Sequence, residues 1–196
     1  FSSGDAMPTS HPAQLNEIVT MIMMTRPESM LDVGVGFGKF GFLAREYLEL
    51  WGEEERYHDW KVRIDGIEVF EQYLTPVHEF IYDNIYLGDA AELLPGMADA
   101  VYDLLVMSDV LEHFTREQGE GVLRQCRRVS RNVLVSVPRN VAAQGAAFGN
   151  EHERHLSSWK EEDFQGEKPS FIYPNARSII AYMGDDALRI AGLLQK

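Results

Sequence analysis

Asp32-Val33-Gly34-Val35-Gly36-Phe37-Gly38 closes a short apolar run and breaks into glycines, with Gly41 three residues beyond the last of them. A glycine turn of this kind can take positive φ values and bring bare backbone against a ligand at the N-terminus of the helix that follows. A nucleotide-like guest suits it. The stretch Gly36-Phe37-Gly38-Lys39-Phe40-Gly41 also satisfies the dinucleotide pattern G-x-G-x-x-G, so the glycines alone leave two ligand classes open. Asp32 separates them. A carboxylate two residues before the first glycine is a poor neighbour for a pyrophosphate, and a good one, directly or through water, for a cationic amino-acid ligand. That tilts the reading towards S-adenosylmethionine.

The stretch Leu31 to Gly38 resembles the first motif of the class I S-adenosylmethionine-dependent methyltransferases, and further matches arrive in that family's order. Gly66-Ile67-Glu68-Val69 is similar to the second motif and Gly88-Asp89-Ala90 to the third. Tyr102 to Phe114, which contains Ser108-Asp109-Val110-Leu111-Glu112-His113, is similar to the fourth. The resemblance spans about residues 29 to 138, and the set is far more specific than any one motif. It implies a cofactor site of Asp32, Gly34, Val35, Gly36, Gly38, Glu68, Val69, Asp89, Ala90, Ser108 and Asp109, with S-adenosylhomocysteine as product. In that site Glu68 accepts hydrogen bonds from both ribose hydroxyls and Val69 packs on the adenine. Asp89 accepts from the adenine amino group, and the Ala90 amide donates to a ring nitrogen. Ser108 and Asp109 flank the methionine portion and the substrate entrance. One departure is that Glu68 lies farther beyond the glycines than the usual ~20 residues, an excess that falls on the charged stretch Glu53 to Tyr57. Each position also has a structural alternative: the glycines can make a plain tight turn, and Glu68 or Asp89 can cap helices.

The elements that must position these residues alternate along the chain. Leu15, Ile18, Val19, Ile22 and Met23 recur at helical spacing, so residues 12–25 are predicted as an amphipathic helix stopped by Pro27. A strand over 29–33 and a helix over 40–48 bracket the glycines, a second strand runs over 61–68, and a helix is expected near 71–82. Residues 84–87 form a brief third strand, a short helix ends near Pro95-Gly96, and 101–107 is continuously apolar, as a central parallel strand should be. A helix over 117–130 and a strand over 132–137 follow, stopped by Pro138. Beyond it lie a long loop to Leu156, a short serine-capped helix over 158–164, a hairpin of 171–173 with 177–183, and a last helix from Asp185. The fold class is therefore α/β, a Rossmann-like doubly wound sheet, mostly parallel, with an antiparallel C-terminal strand. The organisation expected is one methyltransferase domain over 1–196, with an N-terminal helical segment (1–28), a cofactor-binding core (29–138) and a substrate-facing loop region (139–175).

A sulfonium methyl group is already electrophilic, so the protein needs mainly to align an acceptor and exclude water. Where the acceptor is a hydroxyl or a protonated amine, a base of near-neutral pKa helps, and His113, His152, His155 and Asp109 are the candidates. His113, after the fourth strand, and His155, in the long loop, are selected as catalytic, with a solvated polar loop as the alternative for the second. No metal is expected, because His152 and His155 stand three apart in a loop and no second His or Cys pair completes a site. Trp159, Phe164, Phe171, Tyr173 and Tyr182 either cover an acceptor pocket or belong to the core.

Composition narrows the partners. A net charge of −13 repels phosphate backbones, and the one dense basic cluster, Arg124, Arg127, Arg128 and Arg131, has the spacing of a solvated helix face, so nucleic acid is disfavoured. The lone Cys126 lies in a helical pattern and reads as half-buried. No apolar run nears the ~20 residues of a membrane span and the start has no secretion-signal pattern, so a soluble cytoplasmic protein is expected. The function expected is methyl transfer from S-adenosylmethionine to O, N or C of a small molecule. A nicotinamide-dependent oxidoreductase and a non-catalytic cofactor-binding module are the alternatives.

Overall fold

The computed structural model describes residues 10–51, 59–147, 149–166 and 168–195. The predicted charged connection over 52–56, and the excess assigned to 53–57, lie outside the described residues. After helix α1 (Leu15–Thr25), strand β1 (Ser29–Val33) leads through the glycine turn into α2 (Lys39–Arg45). The chain continues through β2 (Arg63–Glu68), α3 (Pro76–Ile81), β3 (Asn84–Leu87), α4 (Ala90–Leu93), β4 (Tyr102–Ser108), α5 (Arg116–Val129) and β5 (Ser130–Pro138). A terminal hairpin of β6 (Ser170–Tyr173) and β7 (Ser178–Gly184) precedes α6 (Ala187–Leu194). All seven strands join one sheet in the order β3-β2-β1-β4-β5-β7-β6. β1 to β5 pair in parallel, β7 runs antiparallel to β5, and β6 antiparallel to β7. The predicted α/β class and reversed C-terminal strand are observed.

Alternation along the strands divides the core between the two faces of the sheet. Met30, Ile64, Leu104, Val106, Leu134 and Ile180 face α1, α2, α3 and α6 through Ile18, Phe40, Ile81 and Ile190. Leu31, Val33, Leu105, Met107, Val133 and Val135 face α4, the turn after it and α5 through Ala90, Leu94, Val122, Leu123 and Val129. Trp159, Phe164 and Tyr182 are buried in these layers, which settles the late aromatics as core for those three. Cys126 is fully buried rather than half-buried, and burial pushes its thiol up to about 12. No helix among the described residues is long and apolar enough to cross a membrane.

Several boundaries differ from the sequence reading, three of them for reasons visible in the local bonding. The helix expected over 71–82 is two pieces, a 3-10 turn at Glu71–Tyr73 and α3 from Pro76, because proline keeps the residue before it extended and Thr75 sits at φ −137°, ψ 167°. β2 starts at Arg63, since the Lys61 and Val62 amides donate to Glu49 Oε1 at 2.7 and 2.6 Å and do not enter the sheet ladder. The helix over 158–164 is a 3-10 turn at Glu161–Phe164, closed by the Asp163 carboxylate accepting the Lys160 amide at 2.8 Å; Ser158 does not cap it.

α2 lies close enough to α3 and its exit that a Cβ at Gly41 would stand 2.4 Å from the Tyr82 phenol. Replacing Gly41 with Ala should therefore cost about 1–3 kcal/mol net through overpacking, although alanine favours the helix itself by roughly 1 kcal/mol. Urea unfolding should show a lower midpoint at an unchanged slope. A midpoint at or above wild type would refute this packing account.

Candidate functional site

Parallel strands leave their carboxyl ends clear of the helices that follow, and a crevice opens where the strand order reverses, here between β1 and β4. A cleft of about 520 Å³ occupies that place. Asp32, Gly34, Val35, Gly36, Glu68, Val69, Asp89, Ala90, Ser108, Asp109, His113 and His155 all line it, as does His152. Gly38 alone among the predicted site residues does not. It caps α2 at φ 79° and faces Ile81 and His78, so its role is to turn the chain.

The glycine turn is held at Gly36 from two sides. Its amide donates to Glu68 Oε2 at 2.9 Å, and the Phe70 amide donates to Glu68 Oε1 at 2.9 Å. These bonds fix the carboxylate at the cleft wall. The Thr75 amide donates to His78 Nδ1 at 3.0 Å, so Nε2 carries the proton and donates to the Gly36 carbonyl at 2.8 Å. His78 was not among the predicted site residues. At Gly34, φ is 76° and a Cβ would lie 2.5 Å from Val110, so the turn closes on the residue after Asp109 with no room for a side chain.

Asp32 is buried beneath this turn and accepts from the Tyr82 hydroxyl at 2.7 Å. Burial raises its carboxyl to about 7, against hydrogen bonds from Tyr82 and the Gly41 backbone, and Glu68 adds to the rise. Burial also raises Glu68, against its backbone bonds to Phe70 and Gly36. Asp89 is the N-cap of α4, with Oδ1 accepting the Ala91 amide at 2.8 Å, so the capping alternative holds for one oxygen while the residue still lines the cleft.

At the end of β4 the chain turns through Asp109 at φ 53°. Gln14, fully buried just before α1, donates from Nε2 to Asp109 Oδ2 at 2.7 Å and to Ser108 Oγ at 3.2 Å. Burial raises the Asp109 carboxyl to about 6, opposed by Gln14, the His11 backbone and Lys39. The 3-10 turn Leu111–His113 then places Glu112 at 1% exposure, with neither carboxylate oxygen hydrogen-bonded among the described residues. Burial, then the nearby Asp109, holds its carboxyl well above the usual range. Burial lowers His113, which keeps its imidazole neutral near pH 7.

The far wall comes from the loop after β5. Leu156 and Ser157 amides donate to the Glu112 carbonyl at 2.7 and 3.1 Å, which draws His155 to His113 at 5.1 Å between ring centroids. Tyr73 reaches across from the segment after β2 and donates to Glu153 Oε1 at 2.8 Å, while Asn150 donates to the Tyr73 hydroxyl at 3.4 Å. Trp159, Phe164, Phe171, Tyr173 and Tyr182 do not line the cleft. In the predicted basic cluster, Arg128 bonds Asp99 and the Met97 and Leu94 carbonyls, Arg127 bonds the Gln165 carbonyl, and Arg131 lies 3.8 Å from Asp103.

This strand order, with its reversed terminal hairpin and its cleft at the switch point, is the class I methyltransferase fold. No family model and no curated protein matches the sequence. Among solved structures, an O-methyltransferase family protein from Burkholderia thailandensis matches with a TM-score of 0.61 at 10% identity, over 89% of this chain and 58% of that one. This chain thus spans little more than half of that protein's length. A SAM dependent methyltransferase from Archaeoglobus fulgidus matches with a TM-score of 0.61 at 14% identity, over 88% of this chain and 92% of that one. The magnesium protoporphyrin IX methyltransferase from Synechocystis PCC 6803, with bound SAM, matches at 0.56 and 14% identity, over 88% and 78%. At these identities the likeness shows the fold.

The buried state of Asp32 has a measurable consequence. Between the ordinary carboxylate value of 3.8 and about 7, the native protein keeps a proton on Asp32 that the unfolded chain has released, so this group's contribution to stability falls as pH rises through that window. The loss of unfolding free energy between pH 4 and pH 8 should be smaller in Asp32→Asn than in wild type. Equal losses in urea titrations of the two proteins would contradict it.

Proposed function

We propose that the chain transfers a methyl group from S-adenosylmethionine to a small-molecule acceptor at O, N or C. The observation that carries this reading is the sign of the cleft. Asp32, Glu68 and Asp109 are acids taken largely out of water around one glycine turn, and such a set favours a ligand bearing positive charge and hydroxyl donors. A sulfonium and an α-ammonium meet the first demand, and a ribose diol the second. The pyrophosphate of a nicotinamide dinucleotide would bring negative charge against Asp32, which weighs against the oxidoreductase alternative.

When bound, the sulfonium supplies an activated methyl group and its own leaving group. The chain's residues then bind, align and exclude water. Glu68 offers its remaining lone pairs to the ribose, with the Gly36 amide and His78 holding the turn that frames it. Val69, Asp89 and Ala90 are the adenine side of this reading, and Gly34, Val35, Ser108 and Asp109 the methionine side. Tyr73, Asn150 and Glu153 bridge the opening and limit water at the reacting atoms. His113, neutral by burial and facing the same cleft as His155, can take a proton from an acceptor hydroxyl or amine.

Calorimetric titration with S-adenosylhomocysteine should give a dissociation constant near micromolar. Glu68→Ala should weaken it at least tenfold, ~1.4 kcal/mol. His78→Ala should weaken it as well, through the loosened turn. An absence of binding in folded protein, or tight NADH binding in its place, would overturn the reading.

A further inference from the structure

Glu112 has no role in holding the cofactor, yet it is the most deeply buried acid on the cleft wall, and both its oxygens lack a hydrogen-bond partner among the described residues. A buried polar group left without a partner calls for an explanation, and a bound ion is one of the few available. Its surroundings supply the rest of a ligand set. One donor atom from each of Glu112, His113 and His155 lies within 4.8 Å of the other two. The sequence pairs His155 with His152, whereas the fold pairs it with His113 by tying Leu156 and Ser157 to the Glu112 carbonyl.

Both imidazoles are prepared as ligands. His113 Nδ1 lies 3.1 Å from the Arg154 carbonyl and His155 Nδ1 lies 2.7 Å from the Ala142 carbonyl. A carbonyl oxygen can only accept, so each Nδ1 carries its proton and each Nε2 presents a lone pair. This backbone anchoring of the second nitrogen is the arrangement that orients metal-binding histidines. We propose that Glu112, His113 and His155 form a site for a divalent transition-metal ion of the zinc type, at the acceptor side of the cleft. The three donors already lie within 4.8 Å of one another, against the roughly 3.3 Å that separates ligands around a tetrahedral zinc at ~2.1 Å. Two imidazole nitrogens with one carboxylate oxygen suit Zn²⁺, Co²⁺ or Fe²⁺ better than Mg²⁺ or Ca²⁺, which prefer all-oxygen sets.

With its Nε2 on the ion and its Nδ1 protonated, His113 would give up the base role described above, and the three protein ligands leave one coordination position for an exogenous ligand. An open position of this kind takes an oxygen ligand, so, on the methyltransferase reading above, the favoured acceptors carry a hydroxyl or a hydroxyl beside a carbonyl or carboxylate. Asp109, whose Oδ1 is also without a partner among the described residues, lies close enough to influence Glu112.

The test uses the full chain stripped with a chelator and desalted. Cobalt titration followed by visible absorption should show one equivalent bound, displaced by zinc, and competition with a chromophoric chelator should give the zinc affinity. Glu112→Gln, His113→Ala and His155→Ala should each weaken zinc at least tenfold. Since Glu112 is buried, melting curves accompany each variant, and His155→Ala, in a half-buried loop, keeps the test decisive if Glu112→Gln fails to fold. No cobalt spectrum and no zinc binding in folded wild type, or unchanged zinc affinity in folded His155→Ala, would overturn the proposal. The same stripped samples are titrated with S-adenosylhomocysteine. Its binding without metal binding removes this site and leaves the methyltransferase reading standing, while metal binding without it keeps the site and removes that reading.

Discussion

Gly36 is the residue on which the cleft depends, because its amide and its carbonyl are each claimed by a side chain from a different element. Glu68 reaches it from the end of β2 and His78 from the first turn of α3. The bond to a carboxylate is the stronger kind, about 1.5–3 kcal/mol, and it does two things at once. It offsets part of the conformational entropy that ordering a glycine turn costs, and it holds the carboxylate in place at the cleft. The strand register sets these distances. β1 and β2 pair so that Val33 stands opposite Ile67, which brings the first residues of the turn level with the end of β2. The Gly34 and Val35 amides then bond the Ile67 carbonyl at 2.9 and 3.2 Å.

The second constraint is electrostatic. Asp32, Glu68, Asp109 and Glu112 share one cleft in a chain that already carries a net charge of −13. Burial costs each of them, and each is shifted towards its protonated form. Local donors offset part of the cost: Tyr82 at Asp32, two amides at Glu68, Gln14 at Asp109. Glu112 has no such donor among the described residues. A cleft built this way gains stability from cations and loses it to anions, and the two proposals follow from that sign: a sulfonium and ammonium against the first three acids, a metal ion against the fourth.

Much of this was legible in the sequence, for identifiable reasons. Parallel strands buried on both faces write themselves as apolar runs, and the glycine turn with its acidic neighbours is a local pattern, so Asp32, Gly34, Gly36, Glu68 and Asp89 could be picked out one stretch at a time. Gly38 caps α2 and does not line the cleft, since a glycine that turns the backbone and a glycine that faces a ligand look alike in sequence. His78 was missed although Thr75-Pro76 signals a helix start, since a single helix was expected over 71–82. Gln14, Tyr73 and the pairing of His155 with His113 depend on contacts between segments far apart in the chain. Nothing local marks Glu112 as buried. Its backbone carbonyl is bonded by Leu156 and Ser157 of the loop after β5, more than forty residues on in the chain.

The most direct measurement of the central claim is a crystal structure of the protein with S-adenosylhomocysteine. The account predicts the ribose diol on the free lone pairs of Glu68 with the Gly36 amide bond intact, the adenine beside Val69 and Asp89, and the amino-acid end near Asp32. Ligand absent from the cleft at saturating concentration, or seated with its ribose away from Glu68, would contradict it.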